Sequence, residues 1–346
     1  LEMDPIDKDK DTILRSIEWI VEDLVNELAT ANANKLKLRI CEDEAHHQLH
    51  YTKRTLKKMI INIKTLSQIY QLIISDQKST MRDLYYDHKH LYKKQETLTR
   101  SISDICSLLN TTRSSLNLLS CSKGILMGSL CLSRPSKDKE NAPIDCSIQP
   151  LLISESFLNC IPSSSAKFIL VVEKDATFQK LIDDEFHIIY PFSILVTGKG
   201  YPDLVTRQFL RHLTDKLNIP IFGLFDADPH GIEIFLTYKY GSSKNKAEGY
   251  GASVPCIQWL GLRPSERDIL PIASNQLLPL NHLDYRKTVK VRRRAETLKE
   301  TDIVREIDSL RDRRCKMELE AVSSAGIAFL PRFYLSPRIR NLLLNE

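Results

Sequence analysis

Short apolar runs alternate with amphipathic stretches through the second half of the chain. The runs span residues 168–172, 192–197 and 220–225, a length typical of buried strands. Each is followed by apolar residues at every third or fourth position, which predicts helices over 176–184, 203–217 and 231–240. Strands that alternate with helices in this way predict an α/β domain with a parallel sheet.

Helical periodicity dominates the first half. Apolar stripes predict helices over residues 11–29, 51–74, 94–109 and 113–119, and a short helix capped by Ser79 or Thr80. The last two long helices, with a break between them, form a helix-turn-helix. Residues 125–132 and 144–153 then predict two strands joined by a polar loop. A helix-turn-helix followed by such a hairpin is typical of a winged-helix domain, which commonly binds the major groove of DNA.

These patterns divide the chain into four segments. We expect an N-terminal helical extension over residues 1–50, a winged-helix domain over 51–153, a linker over 154–167 and an α/β domain over 168–346. The linker assignment depends on Pro162 and the three serines that follow it. The predicted fold class is therefore α/β with an additional α+β winged-helix domain.

The apolar stripe of residues 11–29 allows two interpretations. An isolated helix of about 19 residues is marginal in water, so its apolar face needs another surface to cover it. The covering surface is either the helix's own domain or a partner subunit. In the second case the segment would be dispensable for the fold.

Composition limits the class of protein. The 346 residues carry a net charge of +5, which permits nucleic-acid binding without requiring it. Eight cysteines occur without a C-x-x-C pair, and the first residues, from Leu1, lack a signal-peptide pattern. No apolar run approaches the ~20 residues that a membrane span needs. We therefore expect reduced thiols, no membrane association and a cytosolic or nuclear location.

Three carboxylates follow two of the predicted strands. Glu173 comes after the first strand, and Asp226 and Asp228 come after the third. Ligands gather at the carboxyl ends of parallel strands, and a carboxylate set without Cys or His suits a hard cation such as Mg²⁺. The alternative for Asp226 and Asp228 is a turn that caps the next helix. Adding Glu173 from a second strand favours the metal site.

These residues resemble a known family. The strand ends at Glu173 and at Asp226-Ala-Asp228-Pro-His-Gly231 resemble a Toprim domain, the magnesium-binding module of topoisomerases and primases. Arg82-Asp-Leu-Tyr-Tyr86 resembles the tyrosine motif of the type IIB topoisomerase A-subunit family, which includes a eukaryotic branch that makes meiotic double-strand breaks. The other matches, in family order, are Ser122-Lys-Gly124, Glu173-Lys-Asp-Ala-Thr-Phe-Gln179, Thr197-Gly-Lys-Gly200, Tyr238-Lys-Tyr-Gly-Ser242 and Trp259-Leu-Gly-Leu262.

The resemblance assigns roles to individual residues. It implies that Tyr86 is the nucleophile that attacks DNA, and that Glu173, Asp226 and Asp228 bind Mg²⁺. Arg82 lies four residues before Tyr86 on the same helical face, where it would hold the phosphate or stabilise the phenolate; a surface salt bridge is its alternative. For Tyr85 and Tyr86 the alternative is plain packing.

Lys123, Lys174 and Lys199 are candidate DNA contacts, although Lys174 could equally neutralise the acidic cluster. The run Arg286-Lys-Thr-Val-Lys-Val-Arg-Arg-Arg294 holds six basic residues in nine. It predicts a DNA contact, a nuclear-import signal or an exposed helix face.

The resemblance also implies partners and a function. It implies a homodimer on double-stranded DNA, in which the tyrosine of one subunit meets the metal site of the other. It further implies a topoisomerase VI B-type subunit, meiotic accessory proteins and a place on chromosomes in the nucleus. The expected function is a magnesium-dependent transesterase that breaks DNA through a 5′-phosphotyrosyl link. The alternatives are the A-type component of a topoisomerase VI and a non-catalytic DNA-binding relative.

Overall fold

The computed structural model describes residues 9–29, 35–39, 48–52, 55–113, 115–119, 122–135, 142–242 and 252–344. Two compact units divide at residues 121 and 122. The first unit holds α1 (Lys10–Ala29), β1 (Lys35–Arg39), β2 (Gln48–Thr52), α2 (Leu56–Ile74), β3 (Ser79–Thr80), α3 (Met81–Asp87), α4 (Lys89–Tyr92), α5 (Gln95–Leu109) and β4 (Leu118–Leu119). Strand β1 pairs antiparallel with β2, and β3 pairs parallel with β4.

Helix α1 packs on its own unit. Ile13, Ile17, Ile20 and Leu24 recur at spacings of four and three residues, and all four are buried in one core with α2 and α5. The Tyr70 hydroxyl on α2 donates to Glu18 Oε1 on α1 at 2.6 Å. The interpretation that the segment packs on its own unit is therefore confirmed, whereas its dispensability for the fold stays a prediction.

Truncating a buried residue of α1 should destabilise the first unit. We expect Ile17→Ala to lower the free energy of unfolding by about 2–5 kcal/mol, because it removes buried methyl groups and leaves a cavity. Val25→Ala, on the exposed side of the same helix, should change it by less than about 0.5 kcal/mol. Denaturant unfolding can be followed by fluorescence in a Trp259→Phe background, where Trp19 on α1 is the only tryptophan. Equal midpoints for the two variants would contradict the packing.

The prediction of a second helix in the helix-turn-helix, over residues 113–119, is wrong. Helix α5 ends at Leu109, because the C-cap residue Asn110 has a left-handed conformation, and Leu118–Leu119 form β4 instead of a helical turn. Asn117 also has a positive φ of 56°, and the Leu118 amide donates to the Arg113 carbonyl at 3.2 Å. Short apolar runs cannot be assigned to helix or strand by periodicity alone, which explains the error.

The second unit begins with β5 (Ile125–Gly128) and is built on a six-stranded sheet in the order β13-β12-β10-β11-β5-β8. Its other elements are β6 (Cys131–Ser133), β7 (Ile144–Asp145), β8 (Leu151–Leu152), β9 (Ile161–Ser163), β10 (Phe168–Val172), α6 (Asp175–Asp183), α7 (Phe186–Ile189), β11 (Ser193–Thr197), α8 (Leu204–Leu217), β12 (Ile221–Leu224), α9 (Pro229–Tyr240), β13 (Gln258–Gly261), β14 (Leu278–Pro279), α10 (His282–Thr297), α11 (Thr301–Arg313), β15 (Cys315–Lys316), α12 (Leu319–Ser323) and α13 (Ser336–Leu344). Four adjacent strands, β13, β12, β10 and β11, are parallel, which confirms the predicted parallel sheet.

Helices cover both faces of this sheet. Every residue of β10, β11 and β12 is buried, as expected for strands covered on both sides. One core includes residues of α8, α9, α10 and α11, and the other includes residues of α6, α7, α12 and α13. The predicted β-α-β-α order over residues 168–240 is confirmed to within two residues at each boundary.

The two strands expected for the wing differ from the prediction. They do pair with each other, β6 with β7 and β5 with β8, but β5 also pairs antiparallel with β11 and so extends the sheet of the second unit. The predicted strand 125–132 is interrupted after Gly128, so β5 and β6 are separate strands. Gly128 has a φ of +143°, and an added Cβ would lie 2.3 Å from the Ser193 carbonyl oxygen. The described residues 122–135 and 142–153 therefore belong to the second unit.

The segment expected to be a linker is structured. Residues 155–159 form a 3₁₀ helix with Phe157 buried, and β9 pairs with β6 through Pro162 and its neighbours. Pro162 lies in an edge strand, a position that tolerates the missing amide donor. Within the ranges described, none of the helices combines the length and the apolar character that crossing a membrane requires.

Candidate active site and metal centre

Two adjacent parallel strands bring Glu173 and Asp226 together. Val172 at the end of β10 lies opposite Leu224 at the end of β12, so the residues that follow leave the sheet side by side. The Asp226 amide donates to Glu173 Oε2 at 2.8 Å, and the Glu173 amide donates to the Leu224 carbonyl at 3.0 Å. Both carboxylates are buried. This is the strand-end position expected for a ligand site.

Asp226 and Lys174 join this edge to the start of α12. Asp226 Oδ1 accepts from the Leu319 amide at 2.8 Å, and its Oδ2 lies 2.8 Å from Lys174 Nζ. Lys174 Nζ also lies 3.3 Å from a carboxylate oxygen of Glu318 and 3.0 Å from one of Glu320. Of the two possible roles for Lys174, neutralising the acidic cluster is the one that its contacts display.

The buried carboxylates are held at a cost in free energy. Burial raises the pKa of Glu173, and the charges of Asp226 and Asp228 raise it further. Burial also raises the pKa of Asp226, while Lys174 opposes the shift. Burial alone would lower the pKa of Lys174, but Asp226 and Glu320 outweigh it and raise that pKa above its ordinary value. The cluster therefore favours a positive charge among its oxygens.

Asp228 is the N-cap of α9. Its Oδ1 accepts from the amides of His230 at 2.8 Å and Gly231 at 2.7 Å, as in the capping alternative. Gly231 is required by the close approach of α9 to the strand end, because a Cβ there would lie 2.3 Å from the Asp226 carbonyl oxygen. The glycine thus lets Asp226 and the start of the helix share this edge.

A second group of polar side chains lies one turn further along α9. Glu233 is bonded to the Tyr201 hydroxyl and forms an ion pair with Lys287. The Tyr201 hydroxyl also lies 3.2 Å from His230 Nδ1. These contacts place Glu233 outside the set formed by Glu173, Asp226 and Asp228.

The donor chemistry of the three carboxylates fits a hard divalent cation. Burial and, to a smaller extent, the charges of neighbouring carboxylates raise the pKa values of Glu173 and Asp226, and a cation relieves such repulsion. Among the described residues, however, no three carboxylate, imidazole or thiolate groups are drawn together as a ready metal cage. Asp226 is directed instead to Lys174, and Asp228 to the amides of α9.

The tyrosine pair lies on α3 in the first unit. Thr80 caps this helix, since its hydroxyl accepts from the Asp83 amide while Asp83 Oδ2 accepts from the Thr80 amide. Tyr85 is half-buried, and its hydroxyl donates to the Lys93 carbonyl at 3.1 Å. Tyr86 is 57 % exposed, and its ring stands edge-on to that of Tyr85 with centroids 5.4 Å apart. One tyrosine therefore packs while its neighbour faces solvent.

Two cations flank Tyr86. Lys89 Nζ lies 5.9 Å from the centroid of the Tyr86 ring. Arg82 is exposed, one helical turn before Tyr86, and among the described residues it forms no ion pair with Asp83 or Asp87. The salt-bridge alternative for Arg82 is thus not what the structure displays. Lys89 thus contacts the Tyr86 ring, and Arg82 shares the helix with Tyr86 at a spacing of four residues.

Lys199 lies in the turn after β11, and Lys123, just before β5, contacts this turn. Lys123 Nζ donates to the Lys199 carbonyl at 3.1 Å, and Lys199 Nζ forms an ion pair with Asp175 at 3.0 Å. The Gly200 amide donates to the Glu173 carbonyl at 2.7 Å, which joins this turn to the carboxylate edge. Residues 198–203 form the turn between β11 and α8.

Comparison with known proteins identifies the family. Residues 168–339 match the model for the Toprim domain of Spo11 and the topoisomerase 6 A-type component, and residues 57–118 match the model described as type IIB DNA topoisomerase. A meiotic recombination protein of Caenorhabditis elegans, spo-11, is 42 % identical over 96 % of this chain and 77 % of its own length. The chain belongs to the Spo11/topoisomerase 6 A family.

Other members of the family are also similar. The human meiotic recombination protein SPO11 is 35 % identical over 95 % of this chain and 87 % of its own length. The A-type component of DNA topoisomerase 6 from Arabidopsis thaliana is 32 % identical over 83 % of this chain and 66 % of its own. Both branches of the Spo11/topoisomerase 6 A family are thus represented. Toprim domains as a class bind divalent metal ions, which agrees with the donor set at the strand ends.

Three contributors to the site were missed from the sequence. Glu318 and Glu320 bind Lys174 from more than 140 residues away, and no local pattern connects them. Lys89 follows Tyr86 by three residues, a spacing that a search for cations near the tyrosine would have found.

Proposed function

We propose that this chain makes DNA double-strand breaks that initiate meiotic recombination, by transesterification at Tyr86. One observation carries the proposal. Tyr86 is exposed at the end of a capped helix, flanked by Arg82 and Lys89, whereas Tyr85 is held by the Lys93 carbonyl. The names of the Caenorhabditis elegans and human relatives support the meiotic role.

In the proposed step, the Tyr86 oxygen attacks a DNA phosphorus. The bond from the phosphorus to the tyrosine oxygen forms and the bond to the 3′ oxygen breaks, so a 5′-phosphotyrosyl link and a free 3′-hydroxyl result. The phenolic proton leaves Tyr86, and the 3′ oxygen gains one. A phenol of pKa about 10 is mostly protonated at neutral pH, so Arg82 and Lys89 stabilise the developing negative charge.

Glu173, Asp226 and Asp228 would hold Mg²⁺ in this proposal. When bound, the ion neutralises the phosphate and the leaving oxygen and orients them. Lys123 and Lys199 lie near the same edge and would contact DNA phosphates. Lys174 forms ion pairs with the acidic cluster, and a contact between Lys174 and a DNA phosphate stays a prediction.

The first unit, which carries Tyr86, is proposed to bind DNA, and the active form is proposed to be a homodimer on double-stranded DNA. Meiotic accessory proteins and a topoisomerase VI B-type subunit complete the assembly on nuclear chromosomes. The exposed Val21, Val25 and Leu28 on α1 offer an apolar face for the B-type partner. The similarity to the Arabidopsis topoisomerase 6 component supports a second candidate function, which is DNA relaxation and decatenation as part of a topoisomerase VI.

The proposed function predicts a covalent protein–DNA adduct in cells that enter meiosis. After denaturation, immunoprecipitated protein should retain DNA whose 3′ ends accept label from terminal transferase. The link should survive mild alkali, as a phosphotyrosyl ester does. Non-dividing cells from the same source provide the control. Absence of the adduct while meiotic breaks form, or an adduct on the 3′ side, would contradict the function.

A further inference from the structure

The basic run on α10 divides into two faces. Three of its cations face the rest of the second unit, as their partners show. Lys287 forms an ion pair with Glu233, Arg292 Nε lies 2.9 Å from Asp308 Oδ1, and Arg294 Nη2 donates to the carbonyls of Leu236 at 3.2 Å and Gly241 at 2.6 Å. This half of the run stabilises the contacts of α10 with α9 and α11.

The other half points outward. Arg286, Lys290 and Arg293 are exposed, and their spacings of four and three residues put them on one side of the helix. Among the described residues, none of these three side chains forms an ion pair or a hydrogen bond. We call these three residues the outer face of α10. A fold that pairs every inner cation and leaves three aligned outer cations presents them to an anionic partner.

We propose that the outer face of α10 binds the phosphate backbone of duplex DNA. The inference rests on the proposed function, because it names a second contact for the same substrate. Helix α10 packs against α9, and Lys287 reaches Glu233 one turn beyond the Asp228 cap. DNA that enters the carboxylate edge would continue toward this helix.

The dimensions of the face fit a phosphate row. Seven residues separate Arg286 from Arg293, which is about 10 Å along a helix. One DNA strand presents a phosphate about every 3.4 Å of its axis, so about three phosphates lie within that length. Three cations can therefore each neutralise a phosphate of the same strand.

The structure disfavours the two other occupants. A nuclear-import signal is bound as an extended chain, but Thr288, Val291 and Ala295 are buried and hold the run helical. The exposed Leu283 and Val289 beside the outer face would also suit an anionic membrane surface. DNA fits better because α10 contacts the helix that starts at the candidate site.

The salt dependence of DNA binding tests this inference. The full-length Tyr86→Phe protein, which cannot react, is titrated with a labelled duplex between about 50 and 200 mM salt, with and without Arg286→Gln, Lys290→Gln and Arg293→Gln. Losing three phosphate contacts should lower the slope of log K against log salt by about 2.7. Over that range the affinity of the parent should then fall about 40 times further than that of the triple variant. Each single variant should lower the slope by about 0.9.

A matched control removes the same charge elsewhere. Lys167 precedes β10 at the end of the strand opposite Glu173, and Arg332 and Arg340 lie in the segment that packs on the other face of the sheet. The variant Lys167→Gln, Arg332→Gln, Arg340→Gln should keep the parent slope. Melting curves of both triple variants check folding, and the single variants carry the test if a triple variant unfolds.

The results of this titration distinguish failure of the DNA contact by the outer face of α10 from failure of the proposed function. If the α10 variant keeps the parent slope, or matches the control, the outer face does not contact phosphates. Weaker binding to vesicles rich in phosphatidylserine, with DNA binding unchanged, would assign the face to a membrane and overturn the inference. If the parent does not bind duplex DNA at all, both the function and the inference fail.

Discussion

Tyr86→Phe is expected to abolish the covalent DNA adduct, with a loss of at least about 10³-fold. The substitution removes only the attacking oxygen, and the exposed ring keeps its edge-on contact with Tyr85. Folding and DNA affinity should therefore stay at the level of the parent protein. Adduct formation is measured in meiotic cells that express the variant as the only copy, and affinity is measured by titration of a labelled duplex.

Tyr85→Phe is the matched control. It removes the hydrogen bond to the Lys93 carbonyl, so it should cost about 1 kcal/mol of stability and leave the adduct in place. The two tyrosines are adjacent and identical in chemistry, so the comparison isolates position. An adduct that survives Tyr86→Phe and disappears with Tyr85→Phe would show that the nucleophile is misassigned.

Glu173→Gln and Asp226→Asn should each abolish the adduct and weaken Mg²⁺ binding at least tenfold. Each replaces a hard, charged oxygen of the acidic cluster by a neutral amide. Calorimetric titration of the purified chain measures the binding. Asp183→Asn, on the exposed end of α6 in the same unit, is the control and should bind Mg²⁺ like the parent. Unchanged titration curves for both site variants would remove the metal assignment.

The same variants distinguish a chemical defect from a folding defect. The folded pKa of Glu173 is raised above its ordinary value by burial, so ionised Glu173 disfavours the folded state. This penalty is absent well below pH 4.5 and grows as pH rises toward the raised pKa. In EDTA, Glu173→Gln should therefore melt at or above the parent temperature at about pH 8, and the difference should shrink toward about pH 4. A lower melting temperature at the higher pH would contradict this interpretation of the buried carboxylate.

The α/β half of the fold was predictable because its signals are local. Fully apolar runs at β10, β11 and β12 are buried on both faces, and the amphipathic stretches after them are helices, so boundaries agreed to within two residues. The same reasoning failed at residues 113–119 and 122–167. Leu118–Leu119 are too short for a period to show, and β5 gains its place from β11, about 70 residues away. The sequence pattern of a single segment does not indicate which distant strand it will pair with.

The candidate site divides in the same way. The register of β10 and β12 brings Glu173 and Asp226 together, and a parallel sheet makes that juxtaposition predictable from two strand ends. The capping role of Asp228 was also predictable, because a short polar side chain directly before a proline and a helix is typical of an N-cap. What no pattern indicated is the return of the chain at residues 318–320, which supplies an amide to Asp226 and two carboxylates to Lys174.

At the proposed metal site, an incoming ion would take the place of the Lys174 ammonium beside Asp226. Its three carboxylate neighbours, on Asp226, Glu318 and Glu320, already supply the negative charge that an incoming ion would seek. A divalent ion must therefore compete with a tethered cation that is always present at high local concentration. Such competition would lower the apparent affinity for the ion by the free energy needed to break the ion pair between Lys174 and Asp226.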